Sequence, residues 1–202
     1  VYAQRLKFVF DPSLGNEKFG DFFIAAGPSF SFSLKPSTYS QEQLPYLQDQ
    51  LSSNGFIDFG IGHHFYKGDF LVALAFRNPT YKTEGFGATQ EIKKSSLALE
   101  VNKYLVDYSG FAPYVGLNVA YDRLSYEQKI DEQVTKVDVE ERFEPGLTIG
   151  WDIQPGKASE ALILRTNLRW YPLSSFDVDG STFDFCQLEY NLIQLVFYPG
   201  RL

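Results

Sequence analysis

Residues 111–126, FAPYVGLNVAYDRLSY, alternate with a period of two over an unusual length. Pro113, Val115, Leu117, Val119 and Tyr121 fall on one face; Tyr114, Gly116, Asn118, Ala120 and Asp122 fall on the other. A helix repeats its apolar residues every three or four positions, so this spacing specifies a strand. Strands of soluble proteins usually run about 5–6 residues. At ~3.3 Å per residue, a run of ten or more crosses roughly 25–30 Å, close to the thickness of a bilayer's hydrocarbon. One apolar face and one small or polar face over that span describe a wall between lipid and a polar interior.

The same alternation recurs along the chain. Residues 21–34 set Phe22, Ile24, Ala26, Pro28, Phe30, Phe32 and Leu34 outward against Phe23, Ala25, Gly27, Ser29, Ser31 and Ser33. Pro28 cannot donate to a ladder and predicts a bulge or local break. Ile57, Phe59 and Ile61 oppose Asp58, Gly60 and Gly62; Phe70, Val72, Leu74 and Phe76 oppose Leu71, Ala73, Ala75 and Arg77. Leu97, Leu99, Val101 and Leu105 oppose Glu100, Asn102 and Tyr104, with Lys103 breaking the outward row. Phe143, Pro145, Leu147, Ile149 and Trp151 face out against Arg142, Glu144, Gly146, Thr148, Gly150 and Asp152. Leu162, Leu164, Thr166, Leu168 and Trp170 oppose Arg165, Asn167, Arg169 and Tyr171. In the last strand, Leu188, Tyr190, Leu192, Val196 and Tyr198 are expected outside, and Gln187, Glu189 and Asn191 inside.

The connections alternate in length. Residues 35–54, 78–93, 127–138 and 173–184 read as long polar loops, whereas 66–69, 107–110 and 155–157 read as tight turns. Short turns at one end and long loops at the other are the rhythm of an up-and-down membrane barrel. The expected fold is therefore all-β: one eight-stranded antiparallel transmembrane β-barrel over residues 19–202, both termini on the periplasmic side. Residues 1–18, with the turn-like DPSLGN, are expected to form a periplasmic or lumen-packed arm. Val1 and Ala3 suit the −3 and −1 positions of a signal-peptidase site, which predicts a cleaved signal peptide.

Composition narrows the function classes. A net charge of −7 and a pI near 4.9 argue against a nucleic-acid partner. Aromatics make up 17% of residues, which suits strands and membrane interfaces. No run of 18 apolar residues exists, so no helix is expected to cross a membrane. The mean hydropathy of −0.20 does not oppose a barrel, because inward polar residues cancel outward apolar ones in any average. Cys186 is alone, which rules out an intrachain disulfide framework and reads as a small packed side chain.

Eight strands enclose room only for side chains or one small ligand. Asp58, Glu100, Asp122, Glu144, Asp152 and Glu189 point inward with Arg77, Arg142, Arg165 and Arg169. Isolated buried charges are very costly, so these ten are expected to form one hydrogen-bonded network that fills the lumen. Trp151, Trp170 and Tyr198 are expected at the two membrane interfaces, where amphipathic rings are favoured.

This strand rhythm, the interior charges and the closing FCQLEYNLIQLVFYPGRL resemble small eight-stranded bacterial outer-membrane proteins. The chain is similar to the OmpA-like and OmpW-like superfamily and to outer-membrane barrels of Bacteroidetes. The resemblance covers residues 19–198. It implies a Gram-negative outer membrane, contact with lipid and lipopolysaccharide, and a further outer-membrane or periplasmic protein as partner.

His63 and His64 are the residues best suited to chemistry, with Asp58 nearby. Neighbours on a strand face opposite ways, so the two imidazoles cannot share one site without a bulge. No spacing supplies a nucleophile, a base and an orienting group, or a third metal ligand. No GxGxxG, Walker, CxxC or HExxH string occurs. The expectation is a non-enzyme without cofactor or metal. Its role is a structural or interaction component presenting its loops. The alternatives are a narrow conduit for small hydrophobic molecules, lined in part by Leu124, Tyr126 and Phe143, or an outer-membrane lipid-modifying enzyme. A soluble lipocalin-like barrel would need an apolar inside and a polar outside, the inverse of this pattern.

Overall fold

The computed structural model describes residues 21–34, 53–65, 68–85, 87–105, 111–130, 133–154, 161–178, 181–184 and 186–201. The expected N-terminal arm, most of the loop at 35–54, and the turns at 107–110 and 155–157 lie outside them. The strands are β1 (Asp21–Ser33), β2 (Phe56–Phe65), β3 (Phe70–Arg77), β4 (Thr80–Gly85), β5 (Ala88–Tyr104) and β6 (Phe111–Ile130). They continue with β7 (Gln133–Ile153), β8 (Leu162–Tyr171), β9 (Ser175–Val178), β10 (Ser181–Asp184) and β11 (Gln187–Phe197). One antiparallel sheet runs β3-β2-β1-β11-β8-β7-β6-β5-β4, and a further β3–β5 pairing closes it. β3 and β4 share β5 as neighbour, facing residues 96–103 and 88–93 respectively. They are one wall strand interrupted at Asn78–Pro79, where the Pro79 carbonyl still accepts from Lys94 N–H. The wall therefore has eight strands, as the alternation predicts, and β9 pairs only with β10.

Burial follows the sequence pattern and is inverted relative to a soluble protein. Leu74, Leu97, Val119, Leu147 and Leu168 are exposed on the outside, while Asp58, Arg77, Glu100, Asp122 and Arg169 are buried. Lys103 stays on the outer face and turns toward the short-turn end. Its ammonium donates to the Gly68 carbonyl at 2.5 Å and lies 4.5 Å from the Phe70 ring centre. That end carries the β2–β3 turn, in which Gly68 and Asp69 adopt positive φ of 95° and 54°.

The sequence reading and the structure part in two places. The stretches 78–93, 127–138 and 173–184 are not structureless loops: they hold the β4–β5, β6–β7 and β9–β10 hairpins. Beyond the apolar girdle the outward face must be polar. Lys82, Lys93 and Arg123 now point out while Tyr81, Ile92 and Leu124 turn in. A search for outward apolar rows misses strands whose outside is wet.

The second difference lies in β11. Asn191 faces Ser29 and Asn167, but Leu195 faces Ala26 and Gln194 faces Arg165, so β11 carries one extra residue against both neighbours. Leu192 and Ile193 both look outward, and the parity flips after them. Val196 and Tyr198, expected on the lipid side, are instead fully buried inside. The predicted disturbance at Pro28 is this same irregularity, seen from β1. Thr166 sits opposite the bulge and donates its hydroxyl to the Asn191 carbonyl at 2.7 Å. Gly27 is required there, since a Cβ at that position would stand 2.2 Å from the Ile193 carbonyl oxygen.

Gly27→Ala is therefore expected to cost about 1–3 kcal/mol of folding free energy, read as a lower urea midpoint for refolding into lipid vesicles. Gly60→Ala, whose added methyl would meet nothing closer than 3.5 Å, should leave the midpoint almost unchanged.

Candidate functional site in the barrel interior

Inward residues of seven wall strands meet in a belt across the lumen. Arg77 on β3 donates to Glu189 on β11 and, at 2.7 Å, to the Tyr171 hydroxyl on β8. Its other terminal nitrogen lies 3.5 Å from Glu100 on β5. Arg169 on β8 reaches Asp58 on β2 at 2.6 Å and holds its Nε 2.7 Å from the same Glu100 oxygen. Asn191 adds an amide N–H to Asp58 at 3.1 Å. Two arginines thus share Glu100 and bind three carboxylates between them. The planar guanidinium suits this work because its donors fan out in fixed directions.

The belt continues through Lys94, a residue that the sequence reading did not include. Its ammonium lies 2.6 Å from Asp122 on β6, 3.5 Å from Glu189 and 3.8 Å from Glu144 on β7. It donates to Gln187 at 2.8 Å and stands 5.0 Å from the Tyr171 ring centre. Ser174 donates to Glu144 and accepts from Gln187, both at 2.7 Å. The root of the β9–β10 hairpin is thereby tied to the interior charges. Lys94 shares the parity of Ser96, Ala98 and Glu100, and that was the available signal. It was hidden by starting the strand at the first outward apolar residue.

A second cluster lies toward the short-turn end. Arg165 on β8 holds Asp152 on β7 with two hydrogen bonds of 2.8 Å, and the Tyr104 hydroxyl donates to the same carboxylate. The guanidinium sits between the rings of Phe23 and Tyr114, 5.1 and 5.5 Å from their centres. Tyr198 packs on Phe23 and beneath Arg201, which bonds Asp21 at 2.6 Å. Its expected place at the membrane interface is thus corrected by the β11 bulge. Trp151 and Trp170 do lie on the outer face, toward opposite ends of the wall.

Of the ten charges expected in one network, Asp58, Arg77, Glu100, Asp122, Glu144, Arg169 and Glu189 meet in the belt. Asp152 and Arg165 form the separate cluster. Arg142 sits at the loop end, partly exposed, where its described partners are Ser175 and Asp177 of β9. Leu124 and Tyr126 point inward and are buried, whereas Phe143 is 74% exposed on the outside and cannot line an interior pocket. It packs against Tyr121 instead. His64 is buried beside Tyr104, and His63 lies on the other face of the strand, stacked on Phe65. Among the described residues no group of His, Cys, Asp and Glu has a metal-binding arrangement.

No protein-family model and no curated protein matches the chain. Solved structures share its fold, the closed eight-stranded antiparallel barrel of small outer-membrane proteins. Neisserial surface protein A aligns with a TM-score of 0.59 at 12% identity, over 87% of this chain and 96% of its own. The outer-membrane protein AlkL, solved in lipid bilayers, gives 0.53 at 14% identity, over 91% and 92%. The attachment invasion locus protein Ail of Yersinia pestis, in complex with a heparin analogue, gives 0.51 at 10% identity, over 89% and 98%.

Removing one cation from the belt leaves its partners buried and uncompensated. Arg169→Met is expected to destabilise the barrel by about 3–5 kcal/mol in equilibrium urea titrations. Adding Asp58→Asn to that variant should recover part of the loss, because one stranded carboxylate is then neutral.

Proposed function

We propose that this protein is a non-enzymatic outer-membrane barrel with an occluded lumen, acting as a structural and interaction component that presents hairpins to the exterior. The observation that carries this reading is the inverted burial: an exposed apolar girdle surrounds a cross-section filled by paired charges. Lipid is the solvent that such an exterior matches. In this reading both termini are periplasmic, since Asp21 and Arg201 meet at the short-turn end. Membership of the OmpA-like and OmpW-like superfamily, and of its Bacteroidetes-type barrels, belongs to the same reading and rests on strand rhythm and interior charges. Lipid and lipopolysaccharide are then its immediate surroundings, and another outer-membrane or periplasmic protein is its partner.

The absence of catalysis is part of the proposal and rests on the divided histidines. His63 and His64 are consecutive on β2 and face opposite ways: His63 stacks on Phe65 outside, and His64 packs on Tyr104 inside. Passage of small hydrophobic molecules would have to cross the belt at Arg77, Lys94 and Arg169, where a moving apolar solute finds paired charges. That disfavours a through-lumen conduit.

Two measurements test this reading. Protein extracted in mild detergent should migrate differently on SDS gels before and after boiling and should give a strand-rich circular dichroism spectrum. Reconstituted in planar bilayers, it should show no steady open-channel current. Solubility in plain buffer without a mobility shift overturns the membrane assignment, and a stable conductance overturns the occluded lumen.

A further inference from the structure

The interior belt shares its cations unequally. Asp58, Glu100 and Glu189 each meet an arginine guanidinium, whereas Asp122 and Glu144 share the ammonium of Lys94, at 2.6 and 3.8 Å. Arg142 stands in register with Asp122 but carries its guanidinium to Ser175 and Asp177 of β9. Glu144 is in register with Ala120, which makes Asp122 and Glu144 diagonal neighbours on the inner face of β6 and β7. Their carboxyl groups are in hydrogen-bond contact. Both residues are buried, at 0% and 2% exposure. Glu144 Oε1 accepts from Ser174 at 2.7 Å. Glu144 Oε2 and Asp122 Oδ1 have no hydrogen-bond donor among the described residues. Two acceptors in contact need a hydrogen between them. Two buried carboxylates this close do not both stay ionised against one shared ammonium.

We propose that Asp122 and Glu144 form a proton-binding site, in which one proton is held at neutral pH between the two carboxyl groups, on the Glu144 side. Asp122 lies nearer the ammonium and keeps the negative charge. Glu144 is the neutral acid and donates its O–H to Asp122, a charge-assisted hydrogen bond of the stronger kind. The other groups around the pair fix this division. Lys94 is shared further with Glu189 at 3.5 Å, and Arg77 is engaged by Glu189 and Glu100. Arg169 is held by Asp58 and Glu100. Tyr171 and Tyr81, which bond Arg77 and Gln187, are phenols and bring no positive charge. The site also reaches the exterior, because Ser174 at the root of the β9–β10 hairpin hangs on the same Glu144 carboxyl. Loss of the proton sets two like charges across β6 and β7 directly beneath that root. The inference rests on the reading of the lumen as occluded and enclosed by lipid.

The test uses the full chain refolded in detergent and first checked for its heat-dependent gel shift, so that failure of the barrel reading is seen separately. The readout is the infrared spectrum at neutral pH, where an un-ionised carboxylic acid has a C=O stretch well separated from the bands of carboxylates. Expected is such a band in the wild type, lost in Glu144→Gln and retained in Glu141→Gln, an exposed carboxylate of the same strand. Asp122→Asn should lose it too, because Glu144 then no longer competes with Asp122 for Lys94 and ionises. Wild-type protein made with glutamate carrying heavy carbon in its side-chain carboxyl needs no substitution to fold, and its acid band should move. In urea titrations of refolding into lipid vesicles, Glu144→Gln keeps the site neutral and should hold the wild-type midpoint. Glu100→Gln, which strips a carboxylate from two arginines, should lower it. No acid band, a band that survives Glu144→Gln, or one that moves with labelled aspartate instead overturns the proposal. So does a wild-type midpoint that rises with added sodium or magnesium while that of Glu144→Gln does not, since a metal cation then takes the place of the proton.

Discussion

The constraint on which the structure depends is the cost of leaving a charge unpaired in the buried interior of a closed barrel. Isolated ions in such surroundings lose several kcal/mol each. The interior answers by bringing charges from nearly every wall strand to shared partners. Glu100 serves Arg77 and Arg169; Glu189 serves Arg77 and Lys94. Each shared carboxylate couples strands distant in sequence, as with Arg77 and Glu189, 112 residues apart. The belt therefore acts as a cross-brace in addition to the backbone ladders. The fold needs both. Ladders close the wall and remove the edges that lipid would not tolerate, while the belt prevents the closed wall from enclosing uncompensated charge.

Much of this was legible in the sequence because a barrel wall writes its two environments into alternate positions. Residues 111–121 need no partner to declare which side is which. Eight strands and seven of the belt's eight charges followed from parity, and the strand order from the alternation of short and long connections. Parity fails where the count is interrupted. The Leu192–Ile193 pair inserts one residue, and everything after it, including Val196 and Tyr198, changes sides. Two adjacent apolar residues before Gln194 are the only local trace of that event, and they also suit an uninterrupted lipid-facing strand. Its partner signal, a glycine followed by proline at 27–28, lies in a strand far away in sequence and becomes informative only once β1 and β11 are neighbours.

The hairpins beyond the girdle were misread for a different reason. An outward apolar row identifies a strand only while lipid is the outer solvent. Above that level the outer face carries Lys82, Glu84, Lys93 and Arg123, and the apolar residues move inside. Ile92, Leu124 and Tyr126 are buried there, and Tyr126 accepts a hydrogen bond from Gln90 at 3.0 Å. The period of two persists through the change while its meaning reverses, so Lys94 entered neither the expected strand nor the expected network.

β7 shows how one strand serves both solvents. From Leu147 to Ile153 it is a wall strand, laddered on both sides and apolar outward. Among the described residues its other half ladders with β6 alone and runs on past the end of β8. Pro145 stands at the boundary, on the first outward position after β8 has ended. A proline in the middle of a closed barrel would remove a ladder bond in lipid, where nothing replaces it. At the boundary Pro145 still faces Val119 of β6, while the pairing with β8 has already ended at Leu147 and Trp170. Pro172 makes the matching break on β8, and Ser174 just beyond it is tied to Glu144 and Gln187. Among the described residues, β8 and β7 part at this level and a separate β9–β10 hairpin follows, its root held by interior hydrogen bonds. The root of the exposed hairpin is thus joined by hydrogen bonds to the interior belt at Glu144 and Gln187.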